Sequence, residues 1–297
     1  MNIHAGSSML SLTDADQEIR NAVFKLCERF PDGYWLERES DGVYPLEFHK
    51  AVAEMGWLGI GMPQEYGGAG LGISEAATLM QAITEASPGG TGASAVHLNI
   101  FGLNPVVVFG TDEQKRRFLP PLIAGEERAC FSITEPNTGS NTLKLKTKAV
   151  RHGDHYVVSG QKVFTTSAQV ADKILLLART EDPASVSKST LGLTLFYTDF
   201  DRNRIEARRI EKMGRKAIDT NSLFIDELKI PIEDRIGEEG RGFEYILHGL
   251  NPERILVAAE AIGLGRNALN RAVRYAKERI VFDRQIGQNQ GIQHPLA

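Results

Sequence analysis

The chain has 297 residues, 42% hydrophobic and 24% charged, an ordinary globular composition with room for two or three domains. Its net charge of −4 and pI near 6.0 argue against a nucleic-acid or anionic-membrane partner. Two distant cysteines (Cys27, Cys130), no signal-peptide pattern in the first residues, and no apolar run near the ~18 residues of a membrane span make a reduced, cytoplasmic, soluble protein the expectation.

Residues 12–125 read as helical. An amphipathic run carrying Ile19, Val23, Phe24 and Cys27 starts near Asp14 and stops before Pro31. Leu46 to Gly56, Ile73 to Glu85 and Ala93 to Gly110 continue the pattern. Thr111, with Gln114 placed for a capping box, opens a helix over Lys115 to Pro120. From about 126 to 237 the period changes. Residues 149–158 read as two strands joined at Gly153, and Ile174 to Ala178, Leu191 to Phe196 and Leu223 to Ile230 are further strands. A 3.6-residue pattern then runs from Phe243 to about Ile280. Pro252 interrupts it and is expected to free the His248 carbonyl and kink the helix. Gly263-Leu-Gly265 sits inside this pattern, follows no strand, and reads as a close helix-packing spot. A new helix begins at the end of the chain. The expected class is α+β: an N-terminal helical domain (1–125), a central β-barrel or sandwich (126–237) and a helical segment (238–297).

Two runs carry the chemistry. Cys130-Phe-Ser-Ile-Thr-Glu-Pro-Asn-Thr-Gly-Ser140-Asn141 takes a β-type stretch into a loop rich in backbone donors and hydroxyls. Gly160-Gln-Lys-Val-Phe164-Thr165-Thr166-Ser167 sets an aromatic beside paired hydroxyls. Either run alone is equally a strand end satisfying its own turn. In this order, and in register with Pro63-Gln-Glu-Tyr-Gly-Gly-Ala-Gly70, Phe118-Leu-Pro-Pro-Leu-Ile-Ala-Gly125, Lys212-Met-Gly-Arg215, Gly240-Arg-Gly-Phe243 and Tyr275-Ala-Lys-Glu-Arg279, the chain resembles the acyl-CoA dehydrogenase family over essentially its whole length.

The resemblance implies a helical domain, a β-barrel and a C-terminal four-helix bundle only partly present here, the chain being a fragment or naturally short. It implies FAD, with Phe131, Ile133 and Thr134 against the isoalloxazine, Gly139 and Ser140 near the diphosphate and the substrate's pantetheine, and Phe164, Thr165 and Thr166 along the other edge. Fixed N–H and O–H donors would stabilise the charge that a reduced flavin gains. Arg279, Ile280, Val281, Asn289 and Gln290 match a contact that completes FAD from a neighbouring subunit, which implies a homodimer or homotetramer; taken alone, Arg279 is a solvated helix-end cation. Glu253 matches the general base of the isovaleryl-CoA and long-chain members, whereas other members carry the base in a segment beyond residue 297. Ser140, Asn251 and Arg254 match substrate contacts. Asn137, Thr138 and Asn141 depart from the usual Gly, Ala and Asp of the flavin loop, and Phe164 replaces a common tryptophan, keeping a stacking face but losing an N–H donor.

The implied reaction removes an acyl-CoA α-proton while the β-hydrogen leaves as hydride to flavin, with an electron-transferring flavoprotein as acceptor. An acyl-CoA oxidase or flavin monooxygenase of the same fold, and an inactive truncated chain, are the rivals. His97 and His248 read as structural, since no cysteine, serine or metal-ligand partner converges with them. Gly89, Gly90, Gly92 and Ala93 either shape the acyl pocket or serve packing.

Overall fold

The computed structural model describes residues 13–297. Seven helices come first: α1 (Asp14–Cys27), α2 (Asp32–Asp41), α3 (Leu46–Glu54), α4 (Ile73–Glu85), α5 (Gly89–Phe101), α6 (Asn104–Phe109) and α7 (Asp112–Ile123). Thr13 and Asp16 form a capping box on α1, and Thr111 and Gln114 form the one foreseen on α7. The second box reaches further, because Gln114 Nε2 also donates to the carbonyls of Glu233 (2.7 Å) and Arg235 (2.8 Å) in the sheet domain. The run from Ala93 to Gly110 divides into α5 and α6. Gly102 and Leu103 separate them, and Pro105 starts the second helix, where its missing N–H costs nothing. Residues 89–109 together are long and apolar enough to cross a membrane, unlike the sequence expectation, but most of this stretch is buried in the helical core. Helix α2 was not foreseen because it buries little beyond Trp35, which joins Phe30, Tyr34 and Phe48 in an edge-to-face cluster.

The strands are β1 (Ala129–Ser132), β2 (Lys148–His152), β3 (His155–Thr166), β4 (Lys173–Arg179), β5 (Leu193–Asp199), β6 (Ile205–Arg209), β7 (Thr220–Pro231) and β8 (Arg235–Ile236). Pairing runs β6-β7-β3-β2-β4-β5-β8, and β1 lies parallel to β4. This corrects the barrel expectation: β6 and β8 are free ends and the sheet does not close. Strand β2 pairs with β4 at one register position, Lys148 with Arg179, and then diverges with β3, while β1 occupies the rest of that β4 edge. Side chains alternate along β4 and β5. Leu175, Leu177, Leu195 and Tyr197 face α7 and the next long helix, whereas Ile174, Leu176 and Phe196 fill the concave side with Cys130, Tyr156 and Ile230.

Helix α8 (Gly242–Glu278) runs 37 residues straight through Pro252. The His248 carbonyl released by the proline accepts a hydrogen bond from Asn104 Nδ2 (2.7 Å), which offsets the lost backbone bond. At Gly263 an added Cβ would lie 2.0 Å from Thr84 Oγ1 and 2.3 Å from the Gln81 carbonyl, so α8 crosses α4 in close contact there, as expected, whereas Gly265 faces open space. A hairpin of β9 (Ile280–Val281) and β10 (Arg284–Gln285) and helix α9 (Gln290–Leu296) complete the chain.

Candidate active site

A cavity of about 640 Å³ opens where α5, α8, the β1 end and β3 meet. Local irregularities aim its walls. The β3–β7 pairing carries one extra β3 residue between Lys162 and Thr165, and within this bulge Phe164 takes a φ of +60°. The left-handed backbone turns its ring outward, 65% exposed at the cavity. Thr165 and Thr166 then point to opposite sides. Thr166 lines the cavity, while Thr165 is buried with its hydroxyl 3.0 Å from that of Ser132.

The loop after β1 is held from below. Lys162, fully buried, donates to the carbonyls of Ile133 (3.0 Å) and Leu177 (2.8 Å) and to Glu135 Oε1 (3.0 Å). Glu135 also accepts the backbone N–H groups of Lys146 (2.7 Å) and Thr147 (2.8 Å). Burial pushes the Lys162 ammonium down to about 8 against the pull of Glu135. Burial alone would raise Glu135, but Lys162 and the Thr147 donors hold its carboxyl below the usual range. The pair pins Ile133 and the loop start, so Phe131, Ile133, Thr134, Gly139 and Ser140 all reach the cavity.

The opposite wall belongs to α8, where Phe243, Leu247, Leu250, Glu253, Arg254, Val257 and Glu260 follow helical spacing. Lys212 and Arg215 enter from the loop between β6 and β7. Lys212 is anchored on the Ile218 carbonyl and on Thr220 Oγ1, and Arg215 on Ser94 Oγ (2.9 Å). Glu253 is about one-third exposed, and its carboxylate lies 3.9 Å from His97 Nε2. His97 Nδ1 is 2.5 Å from Glu260 Oε1.

The N-terminal, middle and C-terminal domains of acyl-CoA dehydrogenase match residues 13–126, 130–228 and 240–297. The chain belongs to the acyl-CoA dehydrogenase family. It is similar to a 3-(aryl)acrylate reductase of Clostridium sporogenes, at 36% identity over 96% of this chain and 74% of that protein. It is also similar to acyl-CoA dehydrogenase FadE12 of Mycobacterium tuberculosis, at 34% identity over 95% and 71% of the two chains. Among solved structures, butyryl-CoA dehydrogenase from Megasphaera elsdenii superposes with a TM-score of 0.87 at 29% identity, covering 96% of this chain and 75% of that one.

An acyl-CoA dehydrogenase of this family is a flavoprotein oxidoreductase acting on CH–CH bonds, with FAD as its cofactor. The residues present fit that group. The Phe164 ring offers an unpaired aromatic face, the Cβ direction at Gly139 is open, and Thr166 and Ser140 supply hydroxyls at the same cavity. Of the residues implied by the resemblance, Thr165 and Asn251 do not reach the cavity; Asn251 instead accepts from Arg254 Nη1 (2.6 Å). Arg279, Ile280, Val281, Asn289 and Gln290 lie around the far end of α8, outside this cavity. Of the glycines near His97, Gly92 serves packing, since a Cβ there would meet Pro88, Trp35 and Phe48, whereas Gly89 and Gly90 lie beside Leu264, and Gly90 also beside Arg215 at the cavity. His97, expected to be structural, lines the cavity between two carboxylates, and Glu260 was not singled out. The seven-residue step from Glu253 to Glu260 sets both carboxylates on one helix face, and that was the available signal.

Proposed function

We propose that this acyl-CoA dehydrogenase family member oxidises an acyl-CoA thioester to a trans-2-enoyl-CoA, with Glu253 as the general base. The observation that carries the reading is the meeting, in one cavity, of the Glu253 carboxylate with the Phe131–Ser140 and Phe164–Thr166 walls. FAD, when bound, supplies the acceptor for the β-hydrogen and its two electrons. Phe131, Ile133, Thr134, Phe164 and Thr166 would hold its ring, and Gly139 and Ser140 its diphosphate side. Arg254, with Lys212 and Arg215, gives the cavity three cations suited to ligand phosphates. Glu253 would take the α-proton: the C–H bond breaks, an O–H bond forms on the carboxylate, and the electron pair left behind drives the β-hydrogen out as hydride. Apolar Phe101, Leu98 and Leu250 line the same cavity and give the acyl chain an apolar wall.

Arg279, Ile280, Val281, Asn289 and Gln290 would complete the FAD site of a second copy in a homodimer or homotetramer. Ile262, Leu269 and Tyr275 on α8 and Phe282 beyond it are exposed and support association. An electron-transferring flavoprotein is the expected acceptor, in a reduced, cytoplasmic setting. A second reading runs the same residues backwards as an enoyl or aryl-acrylate reductase, with Glu253 delivering the proton; the name of the Clostridium sporogenes relative favours it.

Anaerobic addition of short, branched and long acyl-CoAs to the purified protein tests the first reading. Bleaching of the oxidised-flavin band is expected, and Glu253→Gln should keep the flavin but slow bleaching roughly 10²–10⁴-fold. Reoxidation of the photoreduced flavin by aryl acrylates or their thioesters, with no bleaching by any acyl-CoA, would select the second. Sedimentation of the FAD-loaded protein as a monomer would overturn the cross-subunit site.

A further inference from the structure

The ring of His97 is held on three sides. Glu260 Oε1 lies 2.5 Å from Nδ1, Phe101 meets the ring edge-on with centroids 4.7 Å apart, and Nε2 faces Glu253 at 3.9 Å. His97 and Glu260 are mostly buried and all three groups line the cavity, with His97 between the two carboxylates, negative–positive–negative when the imidazole is charged. The other charged groups facing this cavity are Lys212 and Arg215 from the β6–β7 loop and Arg254 from α8. Lys212 is occupied by Ile218 and Thr220, Arg215 by Ser94, and Arg254 by Asn251. None of these three makes an ion pair with Glu253 among the described residues, whereas His97 stands at ion-pair distance.

We infer that His97, oriented by Glu260, is a positioning residue that keeps the Glu253 carboxylate aimed at the substrate as its imidazolium partner. The inference rests on the reading of Glu253 as base. Two features of the geometry support it. First, 3.9 Å is ion-pair distance but too long for a hydrogen bond, so the imidazolium steers the carboxylate without occupying the lone pair that must take the α-proton. Second, Glu260 balances the ring's charge from behind and fixes the orientation of the nitrogen that faces Glu253. This is the logic of a carboxylate behind a histidine, with the histidine keeping its own proton throughout. Burial works against the charged ring, yet Glu253 and Glu260 together hold its pKa up, at about 9.

The experiment compares His97→Gln, Glu260→Gln and Glu253→Gln in anaerobic flavin reduction by an acyl-CoA across pH, together with NMR titration of the His97 ring, whose signal is the one displaced in Glu260→Gln. The expected result for His97→Gln is full flavin content, roughly tenfold slower reduction at neutral pH, and a changed pH profile of reduction, because the charged partner facing Glu253 is gone. The ring should stay protonated well above pH 7 in the parent protein and titrate lower in Glu260→Gln. If Glu253→Gln reduces at the parent rate, the base assignment falls and this inference falls with it. If Glu253→Gln is slow but His97→Gln keeps the parent pH profile, only the role of His97 is overturned. Should His97→Gln fail to fold, a parent ring titrating near pH 6.5 overturns the proposal, and one protonated well above pH 7 and lowered in Glu260→Gln sustains it.

Discussion

Thr165 and Thr166 are adjacent and chemically identical, yet they do opposite things. A strand alternates its side chains, so one hydroxyl reaches the cavity and the other is buried against Ser132. The motif was legible in the sequence, but which threonine faces the cavity depends on the bulge at Phe164. Thr165→Val is expected to cost about 1 kcal/mol of stability, the usual net value of one internal hydrogen bond, and to leave flavin affinity unchanged. Thr166→Val should do the reverse. Chemical denaturation and flavin dissociation constants on the two variants check this, and equal effects on flavin would contradict the assigned facing.

At the scale of elements, the cavity loop after β1 depends on the buried Lys162–Glu135 pair. Lys162→Met removes the ammonium and leaves Glu135 buried with its backbone donors alone. A broken buried pair costs about 3–5 kcal/mol, and here the loss falls on the strand end that presents Ile133 and Thr134. The variant should show a lowered unfolding midpoint and weakened flavin retention together; a lowered midpoint with unaltered flavin affinity would separate the pair from the site. Nothing in the sequence pairs residues 135 and 162, because the contact is made through the sheet. Pro252 shows the opposite case. Its position and the carbonyl it frees were readable, but the partner, Asn104, lies on another helix.

Across the whole molecule, two buried histidines bend the pH dependence of stability in opposite senses. His49 is buried with neither ring nitrogen in a well-formed hydrogen bond among the described residues, and burial, with Arg128 nearby, outweighs the neighbouring Asn99 and pushes it down to about 4. The unfolded chain takes up this proton near pH 6.5 and the folded one does not, so stability falls as pH drops from about 6.5 toward 4. His97 is raised instead, so its contribution is complete below about 6.5 and is lost as pH climbs toward 9. Lys162, depressed to about 8, adds stability only as pH rises above that value, which leaves about 6.5 to 8 as the clean window for His97. The melting temperature should therefore peak near pH 6.5. His49→Leu should flatten the acid side above pH 4.5, and His97→Gln the alkaline side up to pH 8. Parallel curves for parent and variants would show that these rings do not set the profile.

Local pattern was enough for the helix and strand periods, the capping box at Thr111, the packing glycine at 263 and the two runs that line the cavity, because each depends on neighbours in sequence. The ordered series of those runs was also enough for the family. Tertiary structure alone decided that the sheet stays open, that Thr165 turns inward, that Lys162 meets Glu135, and that His97 stands between two carboxylates 156 and 163 residues away (253 − 97 and 260 − 97). Those contacts depend on how α5, α8 and the β1–β3 end are brought together. Packing brings that about, and no period along the chain encodes it.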